Sequence, residues 1–254
     1  MKTALITGAT SGIGMEFARQ LAARGYRLIV TGRREDRLQA LKEELDVPVD
    51  IITGDLSKKK ECFELLDKVK DEDIDVFINN AGFGLAGSFL ETDVKREVSM
   101  IKVNDIAMHI LFKGMVKDMH TQGEGRIINV ASSAGLLPGG PYMAGYYASK
   151  AYMVSLTRAV AVELKEAKSN VKVSALCPGP VDTEFNDRAD VTFALKGISA
   201  KQCVKEALRG MDRGKLIIVP SIRMKLATVF SHVVPYPILV KITGRQQKKK
   251  IANS

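Results

Sequence analysis

Cysteine is scarce, with Cys62, Cys177 and Cys203 the only three in 254 residues and no C-x-x-C pair among them. Isolated thiols in odd number build neither a disulfide framework nor a zinc site, and a reducing cytoplasm suits them best. His109 and His120 lack metal-like partner spacing, so no metal site is expected and both read as exposed or packed side chains. Long apolar runs are missing too. The charge-free stretch 226–240 contains His232, Pro235 and Pro237 and falls short of the roughly 20 residues a membrane span needs. The start, Met1 to Gly8, breaks into glycine too early to supply a secretory signal, which leaves the cytoplasm as the expected location. No repeat, low-complexity tract or linker divides residues 1–254, so one domain is expected. The formal charge of +9 comes without nucleic-acid-binding signatures, and part of it is local, in Lys58–Lys60 and Lys248–Lys250. Nucleic acid is therefore not an expected partner.

What is present is an ordinary globular composition, 46% hydrophobic and 26% charged, patterned as short apolar runs alternating with amphipathic stretches. Strands are predicted at 3–7, 27–31, 49–53, 75–79, 125–131, 171–177 and 215–219. Several are apolar throughout, as in a parallel sheet covered on both faces. Helices are predicted near 13–24, 36–45, 59–70, 94–120, 145–167 and 200–209. Together these predict an α/β, Rossmann-type doubly wound fold with about seven parallel strands and helices on both faces. Residues 180–199 lack a period and read as a substrate loop, and 221–254 as an apolar and basic C-terminal extension. That extension either packs on the domain or another subunit, or lies on an anionic membrane surface assisted by Lys241, Arg245 and Lys248–Lys250.

The first strand runs directly into Thr7-Gly8-Ala9-Thr10-Ser11-Gly12-Ile13-Gly14 and then a helix. Glycines permit the tight turn and let backbone N–H groups reach a pyrophosphate, while the helix N-terminus adds unpaired donors and partial positive charge. The second strand ends in Thr31-Gly32-Arg33-Arg34, where NAD-selective domains place a carboxylate for the ribose hydroxyls. Arg33, with Arg34 beside it, instead suits a ribose 2′-phosphate. A charge-assisted bond there contributes on the order of 1.5–3 kcal/mol, about ten- to a hundredfold in affinity. The expected cofactor is NADP(H) in preference to NAD(H).

Six motifs in order make the chain resemble the short-chain dehydrogenase/reductase family from Lys2 to about Val219. The glycine turn resembles its cofactor loop, Asp55-Leu56 its adenine contact and Asn79-Asn80-Ala81-Gly82 its fourth-strand motif. Asn104 resembles the active-site asparagine and Tyr146-x-x-x-Lys150 the catalytic pair. The family's usual serine-to-tyrosine separation selects Ser133 over the adjacent Ser132. The run Pro178-Gly179-Pro180-Val181-Asp182-Thr183 resembles the nicotinamide-side loop. Two departures are small: Cys177 precedes Pro178, and Ser11 stands where a basic residue often precedes Gly12.

Tyr146 and Lys150 are four apart in a helical stretch and so share a face. A free tyrosine, with pKa about 10, is a sluggish base, and lowering it by about three units requires roughly 4 kcal/mol of differential phenolate stabilisation. A nearby ammonium and an oxidised nicotinamide ring are suitable suppliers. The resemblance implies that Tyr146 protonates a carbonyl oxygen, that Ser133 bonds the same oxygen, and that Lys150 also holds the nicotinamide ribose. It further implies that Asn104 supports a proton-relaying water. The implied activity is hydride transfer between NADP(H) and a carbonyl or alcohol, in a homodimer or homotetramer built partly from the helices near 104–120 and 145–167. Phe185, Phe193, Leu195 and the C-terminal extension are expected to shape the pocket, and Tyr147 to pack or wall it. Two other readings are carried: a membrane-associated acyl or lipid carbonyl reductase, and a non-catalytic NADP(H) sensor.

Overall fold

The apolar runs become strands because their alternate side chains enter two different cores. The computed structural model describes residues 1–184, 197–231 and 233–252. Its strands are β1 (Thr3–Thr7), β2 (Arg27–Gly32), β3 (Val49–Thr53), β4 (Ile74–Asn79), β5 (Glu124–Val130), β6 (Asn170–Leu176), β7 (Val181–Asp182), β8 (Ile198–Ser199) and β9 (Ile217–Ile218). Seven of them form one sheet in the order β3-β2-β1-β4-β5-β6-β9, every neighbouring pair parallel. Ala4 and Ile6 of β1 face one core, with Leu28, Val30, Val76 and Ile78, while Leu5, Ile29 and Phe77 face the other. With both faces covered, no polar alternation survives.

The helices are α1 (Gly12–Ala22), α2 (Glu35–Glu44), α3 (Lys59–Val69), α4 (Val94–Ile101), α5 (Met108–Gln122), α6 (Ala144–Glu166), α7 (Ala200–Asp212), α8 (Ile222–Phe230) and α9 (Tyr236–Ala252). Phe17 and Leu21 of α1, Leu38 and Leu41 of α2, and Val204 and Leu208 of α7 cover the first face. Leu65 of α3, Leu111, Phe112 and Met115 of α5, and Met153 and Val154 of α6 cover the second. The expected doubly wound architecture is therefore present. Among the described residues no helix is long and apolar enough to cross a membrane.

Four features differ from the periodicity reading. The helix expected over 94–120 is divided by a π-helical segment, Lys102–Ala107, between α4 and α5. The last sheet strand is only Ile217–Ile218. The segment read as a loop after residue 179 contains β7 and β8, paired in a separate two-stranded sheet. The C-terminal extension forms α8 and α9.

A buried polar chain ties the central strands to the second helical face. Asn79 Nδ2 donates to Met108 O at 3.0 Å and to Asn129 Oδ1 at 3.1 Å. Asn129 Nδ2 donates to Thr157 Oγ1 at 2.9 Å, and that hydroxyl donates to Met153 O at 2.7 Å. All three side chains are buried, so deleting the middle one leaves each neighbour one buried hydrogen bond short. Asn129→Ala is expected to lower the unfolding free energy by about 2–3 kcal/mol in urea titrations. A loss below about 1 kcal/mol would mean that water replaces the amide.

Candidate active site

All strand ends that carry site residues open at the C-terminal edge of the sheet, where the strand order reverses between the paired β1 and β4 and leaves a crevice. Gly8 and Gly12 hold φ of +68° and +56°, the left-handed region that favours glycine. The Ala9 amide donates to Thr31 O at 3.1 Å, fixing the turn to β2. A Cβ on Gly14 would overlap the Gly8 carbonyl, so α1 approaches the turn more closely than a side chain allows. Ser11 precedes α1 without capping it through its side chain, and Ser11, Gly12 and Ile13 line the cavity with the helix N-terminus behind them. Thr7 Oγ1 accepts from the amides of Asn80 (2.9 Å) and Ala81 (3.0 Å), and Asn80 Nδ2 donates to Thr7 O (2.9 Å) and Gly8 O (3.2 Å). These bonds lock the β1 turn to the segment after β4.

One cavity of about 490 Å³ runs from Arg33, Gly54 and Asp55 past the glycine turn to Tyr146 and Lys150. The two arginines part company. Arg33 is exposed and lines the cavity, whereas Arg34 donates to Thr10 O (3.1 Å) and Thr10 Oγ1 (3.0 Å) and pairs with Glu184 at 3.3 Å. Arg34 braces the turn from outside. Asp55 Oδ1 accepts from the Ser57 amide at 3.1 Å. Burial would raise the Asp55 carboxyl, but that bond, Arg33 and Lys58 outweigh it and hold the group below its ordinary value.

At the other end, α6 brings Tyr146 and Lys150 to one face. Lys150 is 4% exposed, its Nζ donates to Val130 O at 3.0 Å, and it lies 5.8 Å from the centre of the Tyr146 ring. Burial pulls the ammonium down to about 8, with Asp105 opposing. Burial pushes the Tyr146 hydroxyl up to about 12, opposed by a hydrogen bond with the Ser132 side chain. The hydroxyl beside the tyrosine is thus that of Ser132, the neighbour of the Ser133 singled out from spacing. Ser132 is extended (φ −167°, ψ 159°) and precedes the 3₁₀ turn Ser133–Leu136. Ser133 opens that turn, donates its amide to Pro178 O at 2.8 Å and lines the same cavity.

Asn104 lies in the π-helical segment and is fully buried. Its Oδ1 accepts from the Phe83 amide at 3.0 Å, and its Nδ2 donates to Phe83 O at 2.9 Å and Ser149 Oγ at 3.1 Å. The side chain therefore clasps the segment after β4 to α6. A π turn carries no compositional signature, so sequence periodicity passed over it, although such turns often mark functional positions. Asp105, beside it, is raised to about 6 by burial against the opposing pull of Lys150.

Of the other residues singled out from sequence, Gly8, Thr10, Leu56, Asn80, Ala81, Gly82, Pro178, Gly179, Val181 and Thr183 line the cavity; Gly14 and Arg34 do not. Phe185, Phe193 and Leu195 lie outside the described residues. His109 Nδ1 meets Tyr152 Oη at 2.6 Å and His120 Nδ1 meets Ser169 Oγ at 3.0 Å, both away from the cavity. From the C-terminal extension, α8 and α9 bring Met224, Gln246 and Gln247 into the lining, three positions that no motif singles out. Gln247 Nε2 donates to Tyr147 Oη at 2.7 Å, and Thr243 Oγ1 donates to Gly139 O at 3.1 Å, so α9 docks directly on the wall of the site.

A family model described as short chain dehydrogenase matches residues 2–193. An uncharacterised oxidoreductase of Staphylococcus saprophyticus is 32% identical over 88% of this chain and 97% of its own length. A 3-oxoacyl-[acyl-carrier-protein] reductase of Rickettsia bellii is 35% identical over 74% of this chain and 76% of its own. Among solved structures, a short-chain dehydrogenase from Sphingobium yanoikuyae in complex with NADPH superposes with a TM-score of 0.82 at 28% identity, covering 91% of this chain and 93% of that one. One from Burkholderia phymatum in complex with NAD gives 0.83 at 25%, covering 91% and 92%. With the sheet order, the glycine turn and the Tyr146–Lys150 pair on one cavity, these matches show that the chain belongs to the short-chain dehydrogenase/reductase family of oxidoreductases.

Proposed function

We propose that this oxidoreductase is an NADP(H)-dependent carbonyl reductase acting on a moderately apolar ketone or aldehyde. The observation that carries the reading is the single cavity with a backbone-lined turn and Arg33 at one end and Tyr146, Lys150 and Ser132 at the other. The residues fit a dinucleotide: Gly8, Gly12 and the α1 N-terminus would hold the pyrophosphate, Arg33 the 2′-phosphate, and Asp55 the adenine side. When bound, the nicotinamide supplies or accepts the hydride.

The chain's own residues handle the proton and the oxygen. Tyr146, held up to about 12, keeps its proton at neutral pH and is poised to donate it to a carbonyl oxygen. Ser132 donates a hydrogen bond to the same oxygen as negative charge develops there. Lys150, adjacent to the ring, stabilises the phenolate left behind and would also hold the nicotinamide ribose. Asn104 keeps the segment after β4 in register with α6. Phe83, Leu137, Met143, Tyr147 and Met224 give the reacting end an apolar wall, which favours a substrate with apolar flanks. Homo-oligomerisation belongs to the same reading, since Ile101 and Ile106, along the α4–α5 run, and Tyr152 and Val162, on α6, expose apolar side chains that a second copy would cover.

NADPH oxidation across a panel of apolar ketones, aldehydes and 3-oxoacyl thioesters tests the reading. Tyr146→Phe is expected to abolish turnover while leaving NADPH binding intact; persistent turnover would remove the proposed acid. Ser132→Ala is expected to lower kcat by about 10²–10³ and Ser133→Ala by less than about tenfold, a split that reverses if Ser133 is the oxygen's partner. Arg33→Ala should raise the KM for NADPH by about ten- to a hundredfold and leave that for NADH nearly unchanged. Equal losses with both cofactors would count against a 2′-phosphate contact.

The pH dependence has a fixed sign. Lys150 has a folded value of about 8, below that of a free lysine, so its charge is present at neutral pH and is lost as pH rises through about 8. Reduction should therefore decline through that alkaline limb. Asp105→Asn removes the carboxylate that favours the ammonium, so the limb should move to lower pH in a kcat profile. A limb that stays in place would dissociate it from Lys150.

A further inference from the structure

All 29 acidic residues lie at or before Asp212, and nine of the 38 Lys and Arg lie after it. The first 212 residues are thus neutral, and the net charge of +9 resides wholly in the C-terminal segment that forms β9, α8 and α9. The same segment exposes a run of large apolar side chains. On α8, Ile222, Leu226, Val229 and Phe230 recur at helical spacing along one exposed stripe, and Phe230 is 67% exposed. The run continues through Val233 to Tyr236, Ile238 and Ile242.

On α9 apolar side chains face outward as well as inward, where Leu239 is buried. Its inward residues include Thr243, Gly244 and Gln247, which meet Gly139, Pro141 and Tyr147. Its outward residues are Ile238 and Ile242 interleaved with Lys241, Arg245 and Lys248. Beside α8, Arg209, Arg213, Lys215 and Lys225 ring a small cavity of about 110 Å³ that also includes Glu206. Apolar side chains flanked by cations, with no helix able to span among the described residues, match a segment that lies in the headgroup region of a bilayer.

We propose that α8 and α9 form a docking surface for an anionic phospholipid bilayer. Charge selects this occupant over a second copy of the chain. A twofold interface sets the same patch against itself, and here it would face cations with cations and offer no carboxylate after Asp212 to pair with them. A bilayer rich in anionic headgroups supplies both the apolar layer and the opposite charge. The exposed apolar run likewise disfavours nucleic acid, whose backbone offers charge alone. Docking would set the wall of the cavity, through Met224, Gln246 and Gln247, next to the bilayer. The proposal stands independently of the reductase reading, because binding is measured without turnover.

The test is flotation of the full chain with vesicles of phosphatidylcholine alone and of phosphatidylcholine containing phosphatidylglycerol. Binding is expected only to the anionic vesicles, and should weaken steeply as salt shortens the Debye length from about 10 Å to about 3 Å. The pair Leu226→Glu and Phe230→Glu should lose at least tenfold in binding. The pair Lys241→Gln and Arg245→Gln should lose about 25-fold, at roughly fivefold per cation. Both pairs lie outside the cavity, so NADPH oxidation on a soluble ketone should be unchanged. If circular dichroism shows that the glutamate pair does not fold, the glutamine pair decides. Absence of vesicle binding, equal binding to neutral vesicles, or binding that survives both pairs overturns the proposal. So does preference for an oligonucleotide over vesicles, or conversion of a dimer to a monomer by the glutamate pair without any lipid binding.

Discussion

An amine buried at the end of β5 organises this site. Lys150 is almost without exposure and donates to one backbone carbonyl, that of Val130, in a place where burial makes its charge costly. The ammonium can reach that carbonyl only if α6 lies close against the strand end. Gly135 makes this possible: a Cβ there would overlap the backbone carbonyl of Lys150. Gly82 does the same from the other side, where a Cβ would come within 2.9 Å of Asn104 Oδ1 and 3.6 Å of Lys150 Nζ. The partial negative charge of Asp105 and the face of the Tyr146 ring complete the surroundings. Position, charge state and access are therefore set together by packing, and the proposed chemistry inherits its pH range from that packing.

The scaffold behind the amine uses polar bonds where an apolar core would leave the strands free to choose partners. Asn79, Asn129 and Thr157 run from β4 through β5 into α6, and Asn104 connects the segment after β4 to the same helix. Each bond is worth little by net energy, but each unsatisfied partner would be expensive, so the network discriminates sharply against a shifted register. Asn104 reaches its partners from a π turn, whose extra residue rotates the side chain inward relative to a continuous helix.

How much of this was legible in the sequence depended on whether a feature has a period. The strands were legible because both faces are buried, giving apolar runs that no surface strand would show. The glycine turn was legible because close backbone approach leaves no room for side chains, as at Gly14. The π turn was not, because residues 94–120 satisfy a helical pattern on either side of it. Ser132 and Ser133 are chemically identical neighbours, so only the extended backbone of Ser132 and its bond with Tyr146 separate them. From sequence Arg33 is favoured over Arg34 for the phosphate, but the partners that hold Arg34, Thr10 and Glu184, are distant in the chain and carry no local signal.

The substrate end was least legible for a reason that also bears on what it can bind. The cofactor end is built of local backbone, where spacing fixes geometry. The substrate end is assembled from positions far apart in the chain: Phe83, Leu137, Met143, Tyr147, Met224 and Gln247 share no period and meet only through tertiary packing. Gln247 crosses 100 residues of sequence to reach Tyr147, and a Cβ on Gly140 would overlap that same ring. The pocket wall is therefore continuous with the docking of α9, and whatever holds α9 in place also holds the wall. The outer face of α9, with Lys241 and Arg245, is thus separated from the Tyr147 wall of the substrate end by the thickness of one helix.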